Sequence, residues 1–508
     1  MINDAGREIP ENITGLDKVL PYKISEVGIG DKSQPHPKEK QRVTRLSRSL
    51  DESIVRSGLK NGDRISFHHH LRLGDRVMEQ VLGQLELMGF RDLILCLSSV
   101  MGPAADAVFK AVKGGVVRRI ETTGLKPPLS GALLKGEIPE PVIFRSHGGR
   151  ARAIEQGETP IDVAFIAASA ADRSGNLTGA EGPNRFGSLG YAIVDGIYAS
   201  HVIAITDFLS EKELSSVSIP GNQVDELVLV ESIGDNEGII GGSLRLSGRP
   251  VEKLIARRTL DLLLAAGAVR NDFSYQAGSG GISLLVSSYL KSYMSEKGIR
   301  GSFASGGVTG DLVEMLGMGL FEHLWDVQSF DTIAAGSLEE NQLHREMSAS
   351  LYANPLNPEC VAHKLDVMIL SATEIDSNFH VNSITGTNGR ILGALGGAPD
   401  TAYGSRLTVV VMPSFRGRIP TVCERVRTVC TPGVTVDALV TERGVVVNPR
   451  REDLLYDLQK QGVPLISMED LIAKVHRLTG KPEIQKIGDK VVGVVEYRDG
   501  TILDCIRR

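Results

Sequence analysis

The chain has 508 residues, of which 42% are apolar and 23% charged, the balance of an ordinary globular protein long enough for several domains. A net charge of −6 and only 5% aromatic residues argue against a nucleic-acid binder. Five cysteines with no CxxC spacing argue against a disulfide framework or a structural zinc site and predict a reducing, cytoplasmic setting. The first residues lack the pattern of a secretion signal, and no apolar run approaches the ~20 residues of a membrane span.

Residues 1–50 read as an N-terminal arm, polar and broken by prolines in the charged stretch 31–40. Residues 51–240 read as a first α/β domain. β-branched runs bounded by glycine or aspartate predict buried parallel strands at 65–67, 93–97, 116–120, 163–167 and 202–205, and a helical pattern spans 77–88. The loop-rich stretch 219–250 marks the boundary. Residues 241–508 read as a second α/β domain, opening on a helix at 251–266, with strands at 273–275, 301–303, 367–370 and 407–412. It ends in a β-hairpin that turns at Asp499-Gly500.

The two domains open alike. Ile65-Ser66-Phe67 leads through His68-His69-His70-Leu71-Arg72 into a helix, and Phe273-Ser274-Tyr275 leads through Gly278-Ser279-Gly280-Gly281 into another, roughly 200 residues on. The expected fold is therefore two homologous, mostly parallel-sheet α/β domains facing each other, with ligands bound at the carboxyl ends of the strands. Gly278-Ser279-Gly280-Gly281 lets a ligand approach the backbone and offers helix N–H groups to an oxyanion. A dinucleotide fingerprint needs glycine at 283, where Ser283 stands, so an oxidoreductase reading lacks its motif. Successive histidines on a strand point to opposite faces, so His68-His69-His70 is not read as a metal site; Arg72 is the better anchor for a carboxylate. Asp172-Arg173-Ser174-Gly175-Asn176 reads as a structural turn. A second glycine cluster, from Ser383 and Thr385 through Arg390 to Gly396-Gly397, is dense enough to cradle an acid or a phosphate.

These motifs resemble those of coenzyme A transferases. Ala171-Asp172 with Gly175-Asn176 is similar to their first-half signature, and Gly278-Ser279-Gly280-Gly281 to the loop of their second half. Ser66 to Arg72, Glu121-Thr122-Thr123-Gly124 and the ending Val495 to Thr501 are more similar still to the family of citrate lyase alpha chains. The resemblance covers nearly the whole chain. It implies the coenzyme A transferase fold and an exchange of citrate for acetate on the thioester of an acyl carrier protein, the gamma chain. A beta chain then cleaves the citryl thioester. The phosphoribosyl-dephospho-coenzyme A belongs to the carrier, so this chain is expected to bind no cofactor of its own. A homo-oligomer inside a larger complex is expected.

One departure bears on mechanism. Counting from Gly298, the position of the nucleophilic glutamate in covalent coenzyme A transferases holds Ser302. The reading is therefore direct attack by citrate through a mixed anhydride, with Glu374 or Glu322 as the alternative nucleophile. In this reading Gly278, Ser279, Gly280 and Gly281, with Gly396 and Gly397, hold the thioester. Ser302, Ser305, Gly306 and Gly307 line the acyl pocket, while His70, Arg72, Thr385 and Arg390 hold citrate. The competing readings are a general coenzyme A transferase or hydrolase, and a non-catalytic subunit that docks the carrier.

Overall fold

The structure is a computed structural model that describes residues 1–24, 42–240, 248–481 and 488–508; the charged stretch 31–40 lies outside the described residues. The β-branched runs form two large sheets. The first orders its strands Arg45–Ser47, Glu226–Leu229, His201–Thr206, Val163–Ala168, Arg64–Phe67, Leu93–Leu97, Val117–Thr122, Val142–Arg145, Val491–Glu496 and Ile502–Arg507. The second orders His344–Glu346, Phe321–Ser329, Gly301–Val308, Ser274–Ala277, Val367–Ser371, Leu407–Val411, Ala438–Thr441 and Gly444–Val447. All neighbours in both are parallel except the last pair of each sheet. Strands such as Leu93–Leu97 and Val163–Ala168 are buried along their whole length, because helices cover both faces.

The C-terminal hairpin does not finish the second domain. It pairs in parallel with Val142–Arg145 and so completes the first sheet. Chain order could not show this, since the strand it joins lies about 350 residues upstream. A buried ion network explains the attachment: Arg145 reaches both Glu121 and Glu496, and Arg152 also reaches Glu496 at 3.2 Å. The N-terminal residues then wrap the hairpin. The Asn3 amide donates to the carbonyls of Ile502 and Leu503, and Tyr22 packs on Tyr497 at 5.1 Å.

The two halves repeat at atomic detail. Asp162 accepts from the N–H of Arg64, and Asp366 from that of Ser274, which makes His68-His69-His70 the counterpart of Gly278-Ser279-Gly280 in the repeat. The Asp172 turn recurs at Asp376: each carboxylate accepts from N–H groups two and four residues on, and each turn holds a residue at positive φ, Gly175 and Phe379. Ile219-Pro220-Gly221 to Val228 recurs as Thr431-Pro432-Gly433 to Val440. The N–H of Gly221 donates to the Asn176 side chain, and that of Gly433 to the His380 ring. A single apolar cluster joins first-domain residues such as Phe67 and Phe165 to Val327, Tyr352 and Leu395 of the second.

Candidate active site

The carboxyl ends of the strands meet where the halves touch. Arg72 follows the first strand of the first domain, and its guanidinium lies 4.7 Å over the ring of Phe330. That ring fills the space beside Gly307, where a Cβ would overlap it. The neighbouring Gly306, at φ +101°, lies against the Gln276 side chain, 2.7 Å from where its Cβ would stand. Gln276 is the residue two before Gly278. Its amide donates to the Tyr352 hydroxyl at 2.8 Å and accepts from Ser305 Oγ at 2.9 Å. Gly397 lies flat on the Tyr352 hydroxyl, and the Gly396 carbonyl accepts from the N–H of His147 at 3.0 Å. The His147 ring stacks on Tyr191 at 4.3 Å, and Tyr191 on His69 and His70 at 5.1 and 5.9 Å. His70 is two residues from Arg72, so the contacts close a ring. Gln328 pins it across the halves by donating to the His69 carbonyl at 2.8 Å.

Local sequence dictates these positions. The strand Ser274–Ala277 delivers Gln276, and the helix Gly281–Lys297 begins directly after the loop, so its first N–H groups are free at the strand ends. Ser146 caps the helix His147–Glu155 by accepting from Gly149, and Asp400 accepts from Ser146 Oγ and the Gly148 N–H across the junction. Arg72 itself is held at φ +51°, which few residues with a side chain adopt.

Burial disfavours the charged form of the histidines here. Burial, then the nearby rings and Arg72, pushes His69 well down; burial and then His68 does the same for His70. His147 is pushed to about 3 by burial and then by Arg150. His68 meets Asp195 at 2.9 Å. Burial alone would raise the Asp195 carboxyl, but Arg150 and His68 hold it well below its ordinary value. Arg72 is thus the cation of the ring. Its Nε is buried without a hydrogen bond, and no carboxylate among the described residues pairs with it. A buried guanidinium with no carboxylate beside it can take an anion that arrives from outside.

The family model for the citrate lyase alpha subunit matches residues 43–508. The chain belongs to the citrate lyase alpha subunit family. It is 44% identical to the citrate lyase alpha chain of Klebsiella pneumoniae over 468 residues, 92% of each chain. It is 42% identical to that of Escherichia coli K12 over 475 residues, 94% of this chain and 93% of that one. The solved alpha subunit of citrate lyase from Streptococcus mutans, in complex with citrate, superposes with a TM-score of 0.93 at 39% identity, covering 100% and 99% of the two chains. A Pseudomonas malonate decarboxylase hetero-tetramer shares the fold alone, with a TM-score of 0.63 at 17% identity, covering 87% and 85%.

Within this citrate lyase alpha fold, the ring gathers His70, Arg72, Ser305, Gly306, Gly307, Gly396 and Gly397, and Gly278, Ser279, Gly280 and Gly281 continue the strand that carries Gln276. Other candidates stand elsewhere. Ser302 lies at the start of its strand, where its hydroxyl donates to the Phe273 carbonyl, while Ser305 to Gly307 occupy the end that faces the first domain. Thr385 Oγ1 is fully used, accepting from Asn382 and donating to Thr428. Arg390 is exposed on the short turn closed by Thr385 and Ile391. Asp172, Gly175 and Asn176 build a turn that anchors Gly221. Glu374 is spent on Thr387 and Asn382 and lines a groove of about 560 Å³ beside Arg425 and Arg427, away from the ring. Glu322 is exposed at the start of its strand. Sequence reading missed Gln276, Tyr352, Tyr191, His147 and Gln328. The pair Gly148-Gly149 after a buried strand was a usable signal for His147. The others carry none, because an amide or a phenol gains its role here only through tertiary convergence.

Proposed function

We propose that this chain exchanges citrate for acetate on the thioester of an acyl carrier protein. The observation that carries the reading is Arg72, a buried cation with no carboxylate paired to it among the described residues, set where the strand ends of the two halves meet. The relative solved with citrate supports the choice of acid. A citrate carboxylate oxygen attacks the acetyl carbonyl, the C–S bond breaks, and the carrier thiolate leaves a mixed anhydride. The thiolate then attacks the citryl carbonyl, and acetate departs. Atoms balance with no net proton transfer.

Arg72 holds a second carboxylate of citrate, so that the attacking one sits beside the thioester; such positioning is worth roughly 7–11 kcal/mol at the intramolecular limit. The first N–H groups of the helix that opens at Gly281 take the developing oxyanion, since that of Gly278 is spent on the Ile369 carbonyl. Direct attack is favoured because Glu374 is already committed to Thr387 and Asn382 and lies off the ring. The nucleotide arm of the thioester belongs to the carrier gamma chain and is substrate here; this chain contributes no cofactor. A beta chain of the complex consumes the citryl thioester, and the alpha chain self-associates within that assembly, in a reducing cytoplasm that suits its five free cysteines.

The test is citrate-dependent acetate release from acetyl-coenzyme A as surrogate donor. Arg72→Ala should lower kcat/KM for citrate about 100-fold, the loss of one desolvated charge contact, and Arg72→Lys should recover only part of it. An Arg72→Ala chain with unchanged citrate kinetics contradicts the proposal.

A further inference from the structure

We infer that His69 is a neutral imidazole that presents its Nε2–H to the oxygen of the transferring acyl group, with Ser98 as the positioning residue that fixes the tautomer. The inference rests on the acyl-transfer reading above and adds a donor from the first domain to those of the glycine loop.

The geometry is a closed hydrogen-bond argument. Ser98 ends the strand beside His69, is fully buried, and is held by its N–H donating to the Phe67 carbonyl at 3.2 Å. Its Oγ accepts from the His69 backbone N–H at 3.1 Å and lies 2.7 Å from His69 Nδ1. The hydroxyl hydrogen still needs an acceptor, and the one it meets among the described residues is Nδ1. Nδ1 is therefore unprotonated, and the ring hydrogen sits on Nε2. The ring cannot swing away: Tyr191 stacks on it at 5.1 Å within 16° of parallel, and Gln328 holds the His69 carbonyl from the other domain. Both ring nitrogens of His70 are enclosed without partners, whereas Nε2 of His69 is not among the enclosed atoms and meets no acceptor among the described residues.

The groups that face His69 are His68, His70, Arg72 and His147, and each opposes a positive charge on it. A neutral imidazole donor adds no charge beside Arg72 and moves no proton. It lends a hydrogen bond to the oxygen that becomes anionic as the citrate carboxylate adds, and releases it when the C–S bond breaks.

Two readouts on the full chain test this. In a ¹⁵N-histidine-labelled protein, long-range proton–nitrogen correlation near neutral pH should show His69 neutral and protonated on Nε2, and Ser98→Ala should remove that preference. In acetate release, His69→Ala should lower kcat roughly 100-fold, with His69→Gln retaining more through its terminal N–H. Ser98→Ala should lower kcat at unchanged KM for citrate, and Ser98→Thr should restore it. A charged or Nδ1-protonated His69, or Ser98→Ala with the wild-type kcat, overturns the inference. Wild-type chain that releases no acetate with citrate overturns the acyl-transfer reading and the donor role with it, while the spectrum still decides the tautomer.

Discussion

Gly306 and Gly397 show how much of this site depends on missing side chains. A Cβ on Gly306 would stand 2.7 Å from Gln276, at a backbone φ of +101°, and one on Gly397 would overlap the Tyr352 hydroxyl. Each substitution to alanine should push apart the Gln276–Tyr352 hydrogen bond and lower acetate release about tenfold or more, with only a modest fall in thermal midpoint; steady-state kinetics beside a melting curve checks both. Wild-type activity in Gly397→Ala would show that the pair does not shape the site. The residue scale is also where sequence reading succeeded least evenly. Arg72 was singled out in the sequence as an anchor for a carboxylate, and the structure places it, buried, where the two halves meet. Thr385 and Arg390 were not separable from Gly396 and Gly397 by sequence, since one turn of chain sends the first inward to Thr428 and the second out to solvent.

At the scale of elements, the helix Val77–Leu87 behind Arg72 makes two opposite predictions. Gly83 lies inside it, and a Cβ there meets nothing within 4 Å. Gly83→Ala should stabilise the chain by ~0.5–1 kcal/mol, read as a higher denaturation midpoint with unchanged activity. Asp75 caps the same helix, accepting from the Met78 N–H at 3.1 Å. Burial pushes its carboxyl up to about 7, partly offset by backbone N–H groups. A carboxyl raised in the folded state binds its proton more tightly there, so it supports stability at low pH. That support is lost as pH rises from the ordinary carboxylate range through about 7. Asp75→Asn should flatten the fall over that window, as measured by chemical denaturation at several pH values. Buried strands, the opening helices and the internal repeat were readable in the sequence because period and β-branching encode them locally. The Pro220-Gly221 and Pro432-Gly433 segments mark the repeat more sharply than the two opening strands do, because both turns must pass close under another backbone carbonyl.

For the whole molecule, the decisive feature was not readable. The C-terminal hairpin closes the first sheet, and the N-terminal residues clamp the hairpin, so the chain ends tie together what the middle builds. Glu496→Ala would leave Arg145 and Arg152 buried with part of their charge uncompensated, an effect of about 3–5 kcal/mol that a clear drop in thermal midpoint should report. Long-range pairing of this kind leaves no local pattern, which is why chain order alone placed the hairpin with the second half.

If the two halves bring citrate to an acetyl thioester directly, no acyl-enzyme forms. The most direct measurement incubates the purified chain with acetyl-coenzyme A alone and then with citrate, adding hydroxylamine to each and following acetate release. Direct attack should give acetate only when citrate is present and no hydroxylamine-sensitive acyl-enzyme from the donor alone. A covalent acyl-enzyme formed before citrate is added would contradict it.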